Sequence, residues 1–121
     1  MPIHKILVVD DSPTERFALN ELLTGKGYYV VMAENGEEGI AKAKAEKPDL
    51  ILMDVVMPGL NGYQATRTIS RDEITRSIPV IMCTSKSLET DKIWGMRQGA
   101  HDYVVKPVDG PALLAKIAAL G

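Results

Sequence analysis

Asp49-Leu50-Ile51-Leu52-Met53-Asp54 is a short apolar run that ends abruptly on a carboxylate. Four apolar residues without alternation read as a strand buried on both faces, the pattern of a parallel sheet covered by helices. An acid at the carboxyl end of such a strand stands at the rim of the crevice where open α/β sheets collect ligands. Met57-Pro58-Gly59 then turns the chain away. Aspartate is also a common turn residue, so Asp54 taken alone fits a cap as well as a site.

The same pattern recurs on both sides. Ile6-Leu7-Val8-Val9 stops on Asp10-Asp11, Pro79-Val80-Ile81-Met82-Cys83 on Thr84-Ser85-Lys86, and Asp102-Tyr103-Val104-Val105 on Lys106-Pro107; Tyr28 to Ala33 is a further β-rich run. Helical signals fill the gaps. Ser12-Pro13-Thr14-Glu15 has the form of a capping box with proline at the first helical position, opening a helix to about Gly25 that faces inward on Leu19, Leu22 and Leu23. Asn35-Gly36-Glu37-Glu38 opens a second helix, acidic at its start and lysine-rich toward Pro48, which closes it. Asn61 caps a third that runs to about Arg71, followed by the polar segment Asp72 to Ser77. Leu88 to Gln98 make a fourth, stopped by Gly99, and Gly110 to Leu120 a fifth on Leu113, Leu114, Ile117 and Leu120. Five strands alternating with five helices predict an α/β fold: a doubly wound parallel sheet with helices on both faces.

At 121 residues, without a shift in composition, the sequence predicts one domain over residues 1–121. With 45% apolar and 25% charged residues and a net charge of -2, it has the profile of a soluble globular protein. No basic stripe points to nucleic acid, no apolar run is long enough for a bilayer, and the N-terminus lacks a signal-peptide pattern, so the expected location is the cytoplasm. Cys83 lies inside an apolar run and reads as core packing. His4 and His101 read as surface residues, Tyr28 and Tyr29 as ordinary strand residues, and Lys42, Lys44 and Lys47 as a solvated helix face. Helical spacing assigns Trp94 and Met96 to core or half-buried packing rather than to a partner-binding face.

An alternating fold turns the carboxyl ends of its strands the same way, which gathers Asp10, Asp11, Asp54, Thr84 and Lys106 at one rim. Three carboxylates in one crevice repel one another and call for a compensating cation. Magnesium is the natural choice, since it takes oxygen ligands, usually only one or two from protein, and completes its shell with water and phosphate oxygens. Lys106 can then neutralise a phosphoryl oxygen, Thr84 can donate a hydroxyl to another, and Asp54 is the candidate nucleophile for an aspartyl-phosphate.

With Asp10-Asp11, Met53-Asp54-Val55-Val56-Met57-Pro58-Gly59-Leu60-Asn61-Gly62, Thr84-Ser85 and Tyr103-Val104-Val105-Lys106-Pro107, the chain resembles a response regulator receiver domain over its whole length. The resemblance implies a flavodoxin-like sheet in the order 2-1-3-4-5 and phosphoryl transfer from a histidine kinase to Asp54. Asp11, Asp54 and the backbone carbonyl of Val56 would hold Mg2+, Asp10 acting through a water. Thr84 and Tyr103 would form the switch that alters the surface made by the fourth helix, fifth strand and fifth helix, with Lys106 on the phosphoryl group and a cis Lys106-Pro107 bond. Such a domain is no enzyme toward other substrates; it catalyses its own phosphorylation and dephosphorylation. At Val56 and Lys86 receivers vary, and an apolar Val56 cannot orient an attacking water.

A narrower similarity lies in Asp10-Asp11-Ser12-Pro13-Thr14-Glu15, Pro58 to Arg67 and Thr90 to Ala100, which look like single-domain receivers of chemosensory systems that control type IV pilus twitching motility. This implies a chemotaxis-type histidine kinase as donor, a downstream protein target, no output domain, and a monomer or weak dimer. Two other classes are a pseudo-receiver that binds partners without phosphorylation and a haloacid-dehalogenase-type phosphohydrolase. The second of these asks for an aspartate where Val56 stands.

Overall fold

Each apolar run becomes a strand and each capped segment a helix. The computed structural model describes residues 2–121, in which β1 (Lys5–Val9), α1 (Pro13–Thr24), β2 (Tyr29–Ala33), α2 (Gly36–Glu46), β3 (Leu50–Met53), α3 (Gly62–Arg71), β4 (Val80–Thr84), α4 (Glu89–Arg97), β5 (Asp102–Val105) and α5 (Gly110–Leu120) follow one another. The five strands form one sheet in the order β2-β1-β3-β4-β5, and every pairing is parallel. Register aligns Val9 with Met53 and Thr84 with Val105, so the residues just beyond β1, β3, β4 and β5 emerge along one edge.

Strand residues alternate between two apolar layers, as a pleated sheet covered on both faces requires. Ile6, Val8, Leu50, Leu52, Ile81 and Cys83 pack with Leu19 and Leu23 of α1 and Leu113 and Ile117 of α5. On the opposite face Leu7, Val9, Ile51, Met53 and Met82 pack with Ala43 of α2 and Ala65 and Ile69 of α3. The Cys83 thiol is buried, and burial pushes its pKa up to about 12, as expected of a packing residue.

Two helix starts behave as their sequences predict, and a third, at Asp109, is capped in the same way. Asn61 and Gln64 form a full capping box, with Oδ1 of Asn61 accepting from Gln64 N at 2.9 Å and Oε1 of Gln64 accepting from Asn61 N at 3.0 Å. Asn35 accepts from Glu38 N, and Asp109 from Ala112 N. The box expected at Ser12 is only half made: Ser12 Oγ accepts from Glu15 N at 3.3 Å, but the Glu15 carboxylate turns toward Lys106 instead. The linker from Asp72 to Ser77 is a built turn, in which Asp72 accepts from Ile74 N and the buried Thr75 hydroxyl donates to Ile69 O.

The expectation for Trp94 and Met96 is corrected. They are 49% and 46% exposed, and Ile93 and Leu88 beside them are also exposed. The cause is Gly95, the buried residue of α4: a Cβ there would stand 2.9 Å from Met82 Sδ and 3.2 Å from the Tyr103 ring. Glycine lets the helix backbone settle directly on those side chains, which narrows its inner face and leaves the large neighbours on its flanks. His4, His101 and Tyr29 are exposed and Tyr28 is half-buried, while Lys42 and Lys44 pair with Glu38 and Asp72 on the surface.

Candidate functional site

The strand ends meet around Lys106. Its Nζ lies 2.8 Å from Asp10 Oδ2, 3.8 Å from Asp54 Oδ1 and 3.9 Å from Glu15 Oε2. Asp10, Asp11 and Asp54 each offer an oxygen within 4.8 Å of the others. These groups open into a cleft of about 540 Å³ lined by Asp10, Asp11, Ser12, Glu15, Asp54, Val56, Ser85, Lys106 and Pro107.

Backbone contacts fix the acids. Asp10 is buried, with Oδ1 accepting from Ser12 N at 2.9 Å and its carbonyl accepting from Arg16 Nη1 at 2.7 Å. Asp11 is exposed at the mouth. Asp54 is buried; its N–H bonds Val9 O and its Oδ1 accepts from Val55 N, both at 2.9 Å. Behind it, α3 begins against the strand end: Gly62 N donates to Val55 O at 2.9 Å, and a Cβ on Gly62 would fall 1.9 Å from Asp54 O. Only a residue without a side chain fits there.

Lys106 reaches the rim because β5 ends at Val105, where Lys106 N donates to Thr84 O at 2.8 Å and the Lys106-Pro107 bond is cis. Thr84 is buried and does not line the cleft; its Oγ1 accepts from Lys86 N at 3.3 Å, and Ser85 takes the lining position. Val56 presents its side chain to the cleft and is 56% exposed. The Tyr103 ring lies over Gly95, with its hydroxyl on Lys86 O at 2.9 Å. Glu15 is the cleft residue that the sequence did not single out. One turn separates it from Asp11, and the helix start that accounts for it locally also aims it at the rim.

Burial, then the Asp10 charge, pushes the Asp54 carboxyl up to about 6 against the pull of Lys106 and the Val55 N–H. Burial works against the charge on Lys106, but its hydrogen bond to Asp10 and the charges of Asp54, Asp10 and Glu15 outweigh that and hold its pKa above the ordinary lysine value. An aspartate in the unfolded chain titrates near about 3.9. Between that value and 6 the native state keeps a proton that the unfolded chain has lost, so stability falls as pH rises through this window and stays lower above it. With allowance for solvent at the open mouth, the ionised carboxylate costs about 1–2 kcal/mol. Asp49, Asp72 and Asp102 have lowered values, so their contribution is lost only on further acidification and does not oppose the fall. In chelator, urea denaturation is therefore expected to give lower stability at about pH 7 than at about pH 5, and Asp54→Asn is expected to remove most of that difference. A natural chain equally stable at both would contradict the assigned strain.

The donor set fits a hard divalent ion: three carboxylates converge and no sulfur or imidazole lies among them. Asp11 has the exposure to take part, whereas Asp10 is already engaged by Lys106 and Ser12 N.

A parallel sheet in this order, with acids at the ends of β1 and β3 and a lysine after β5, defines a class, and residues 6–118 match the response regulator receiver domain model: the chain belongs to that family. It is 57% identical over 116 residues to Protein PilH of Pseudomonas aeruginosa, covering 96% of this chain and 96% of that protein. Other relatives include transcriptional regulators of which the chain spans 50%. Among solved structures, Vibrio cholerae CheY4 superposes with a TM-score of 0.91 at 30% identity, covering 98% of this chain and 99% of that one. The receiver domain of the Pseudomonas aeruginosa sensor histidine kinase PA1611, solved with a magnesium ion coordinated in its active-site cleft, gives 0.90 at 32% identity, covering 97% and 96%. Among the described residues, no helix is long and apolar enough to cross a membrane.

Proposed function

We propose that the chain is a phosphoacceptor switch that takes a phosphoryl group from a histidine kinase onto Asp54. The observation that carries this reading is Lys106 Nζ within 3.8 Å of both Asp10 and Asp54, at the mouth of a cleft that gathers three carboxylates. At neutral pH the Asp54 carboxyl is mostly ionised, and its raised pKa makes it a better nucleophile than an ordinary aspartate. One of its oxygens forms the bond to phosphorus as the bond to the donor imidazole nitrogen breaks, and the electron pair of that bond leaves on the nitrogen. Lys106 neutralises charge on the transferring group. Asp11, Asp54 and the Val56 carbonyl would hold Mg2+, with Asp10 acting through a water, and the ion supplies charge stabilisation at the phosphoryl oxygens.

Once Asp54 carries the group, the Thr84 hydroxyl turns from Lys86 N to a phosphoryl oxygen and Tyr103 follows, which changes the surface of α4, β5 and α5 that a downstream protein reads. Likeness to PilH over nearly its full length supports chemosensory control of type IV pilus twitching, with a chemotaxis-type kinase as donor in the cytoplasm.

Intact mass after acetyl phosphate treatment is the test. In excess Mg2+ the natural chain is expected to gain one phosphoryl group, and in excess chelator none. No gain with Mg2+ would favour a pseudo-receiver, and sustained turnover of a simple phosphate ester would favour a hydrolase.

A further inference from the structure

The β4–α4 segment is held from two sides by tyrosine hydroxyls. Tyr103, on β5, donates to the carbonyl of Lys86 at 2.9 Å. Tyr63, on the first turn of α3, donates to the carbonyl of Asp91 in the first turn of α4 at 3.2 Å. The two phenols are neighbours: burial, then the Tyr63 hydroxyl, holds the Tyr103 phenol above its ordinary range.

Tyr63 is itself firmly placed. Gly62 before it lies against the Asp54 backbone, and the Asn61–Gln64 capping box fixes the turn on which it stands. A single side chain therefore ties the strand end that carries Asp54 to the start of α4. Beside it, Val55, Val56, Met57, Asn61, Tyr63 and Lys86 enclose a hollow of about 210 Å³. That hollow shares Val56 with the acidic cleft, so it is room into which the Ser85–Lys86 backbone can close.

Thr84 cannot turn toward Asp54 without giving up Lys86 N, and the Lys86 backbone is what Tyr103 holds. We propose that Tyr63 is a second latch, which ties α4 to α3 in the resting arrangement and sets how readily the β4–α4 segment closes on an occupied Asp54. A bond made in one state and absent from the other biases the equilibrium by its own strength. Removing it favours the closed state, by about two- to tenfold for one neutral hydrogen bond.

The inference rests on the receiver reading, and its test separates the two. Beryllofluoride, a phosphoryl mimic, is titrated in saturating Mg2+ into the natural chain and into Tyr63→Phe and Tyr103→Phe. Binding is followed by calorimetry, and the position of α4 by the fluorescence of Trp94, the only tryptophan. Tyr63→Phe is expected to bind beryllofluoride about two- to tenfold more tightly, with Mg2+ affinity unchanged and melting temperature unchanged or lower. Tyr103→Phe is expected to shift the same way. A merely structural role would lower the melting temperature without tightening the mimic. Unchanged or weaker binding by Tyr63→Phe, or loss of its fold, overturns the latch while leaving the receiver reading intact. A natural chain that binds no beryllofluoride overturns both.

Discussion

Alanine at Asp54 is expected to abolish phosphoryl uptake, with no neighbouring carboxylate taking over. Asp10 lies within the same cluster but is held by a 2.8 Å bond to Lys106 and a 2.9 Å bond from Ser12 N, so its oxygens are engaged before any donor arrives. Asp11 is exposed at the mouth of the cleft, where a donor can reach it but no ion pair with Lys106 is made. Asp54 is buried and oriented by its own backbone hydrogen bond, and it lies 3.8 Å from Lys106 without being hydrogen-bonded to it. The expected result, by intact mass after acetyl phosphate and Mg2+, is one phosphoryl group on the natural chain and none on Asp54→Ala. Folding of the variant, checked by far-UV circular dichroism, is expected to be intact, because the deletion relieves charge repulsion. A phosphorylated Asp54→Ala would move the acceptor elsewhere.

Alanine at Gly62 is expected to be the most disruptive single-methyl change in the molecule. Its Cβ would lie 1.9 Å from Asp54 O and 2.8 Å from both Asp54 C and Val55 Cα. These are backbone atoms at the end of a central strand, and they have no rotamer by which to move aside. The first turn of α3 must be pushed off the sheet, which breaks Gly62 N to Val55 O and the packing of Ala65 behind it. Overpacking of this kind is expected to cost about 3 kcal/mol or more. Gly59→Ala is the control, because Gly59 has φ +74 but its Cβ would meet nothing closer than 4.0 Å. Only the strain of a left-handed alanine applies there, about 1 kcal/mol. Urea denaturation orders the two. Equal losses would mean that α3 yields more easily than its contact with Asp54 implies.

Most of the architecture was legible because unbroken apolar runs marked buried strands and each run stopped on a polar residue. Asp10, Asp11, Asp54 and Lys106 could be placed at one rim on that pattern alone, whereas Thr84 is buried and Ser85 lines the cleft in its place; helix limits set by Asn61, Gly99 and Gly110 fall within a residue of those found. Strand order was not legible in this way and came from family resemblance, since alternation fixes the direction of strands but not their neighbours. Glu15 was missed because one local explanation, the capping box, already accounted for it, whereas a lysine ninety-one residues further along competes for its carboxylate. Trp94 and Met96 were misplaced for the opposite reason. Their spacing describes an amphipathic helix, but Gly95, a residue with no hydrophobic weight, forms the buried contact.

That glycine has a mechanical consequence. A helix seated by interlocking leucines must pull knobs out of holes before it can shift, and its departure would leave voids in the interior. α4 has no such knob among its buried residues, and its N-cap, Leu88, has no oxygen to offer the first turn. Once its tyrosine hydrogen bonds are released, a shift of α4 across the Tyr103 ring would carry Trp94, Ile93 and Met96 with it and empty no socket in the apolar layer on either face of the sheet. A displacement of this helix would thereby leave the integrity of the rest intact.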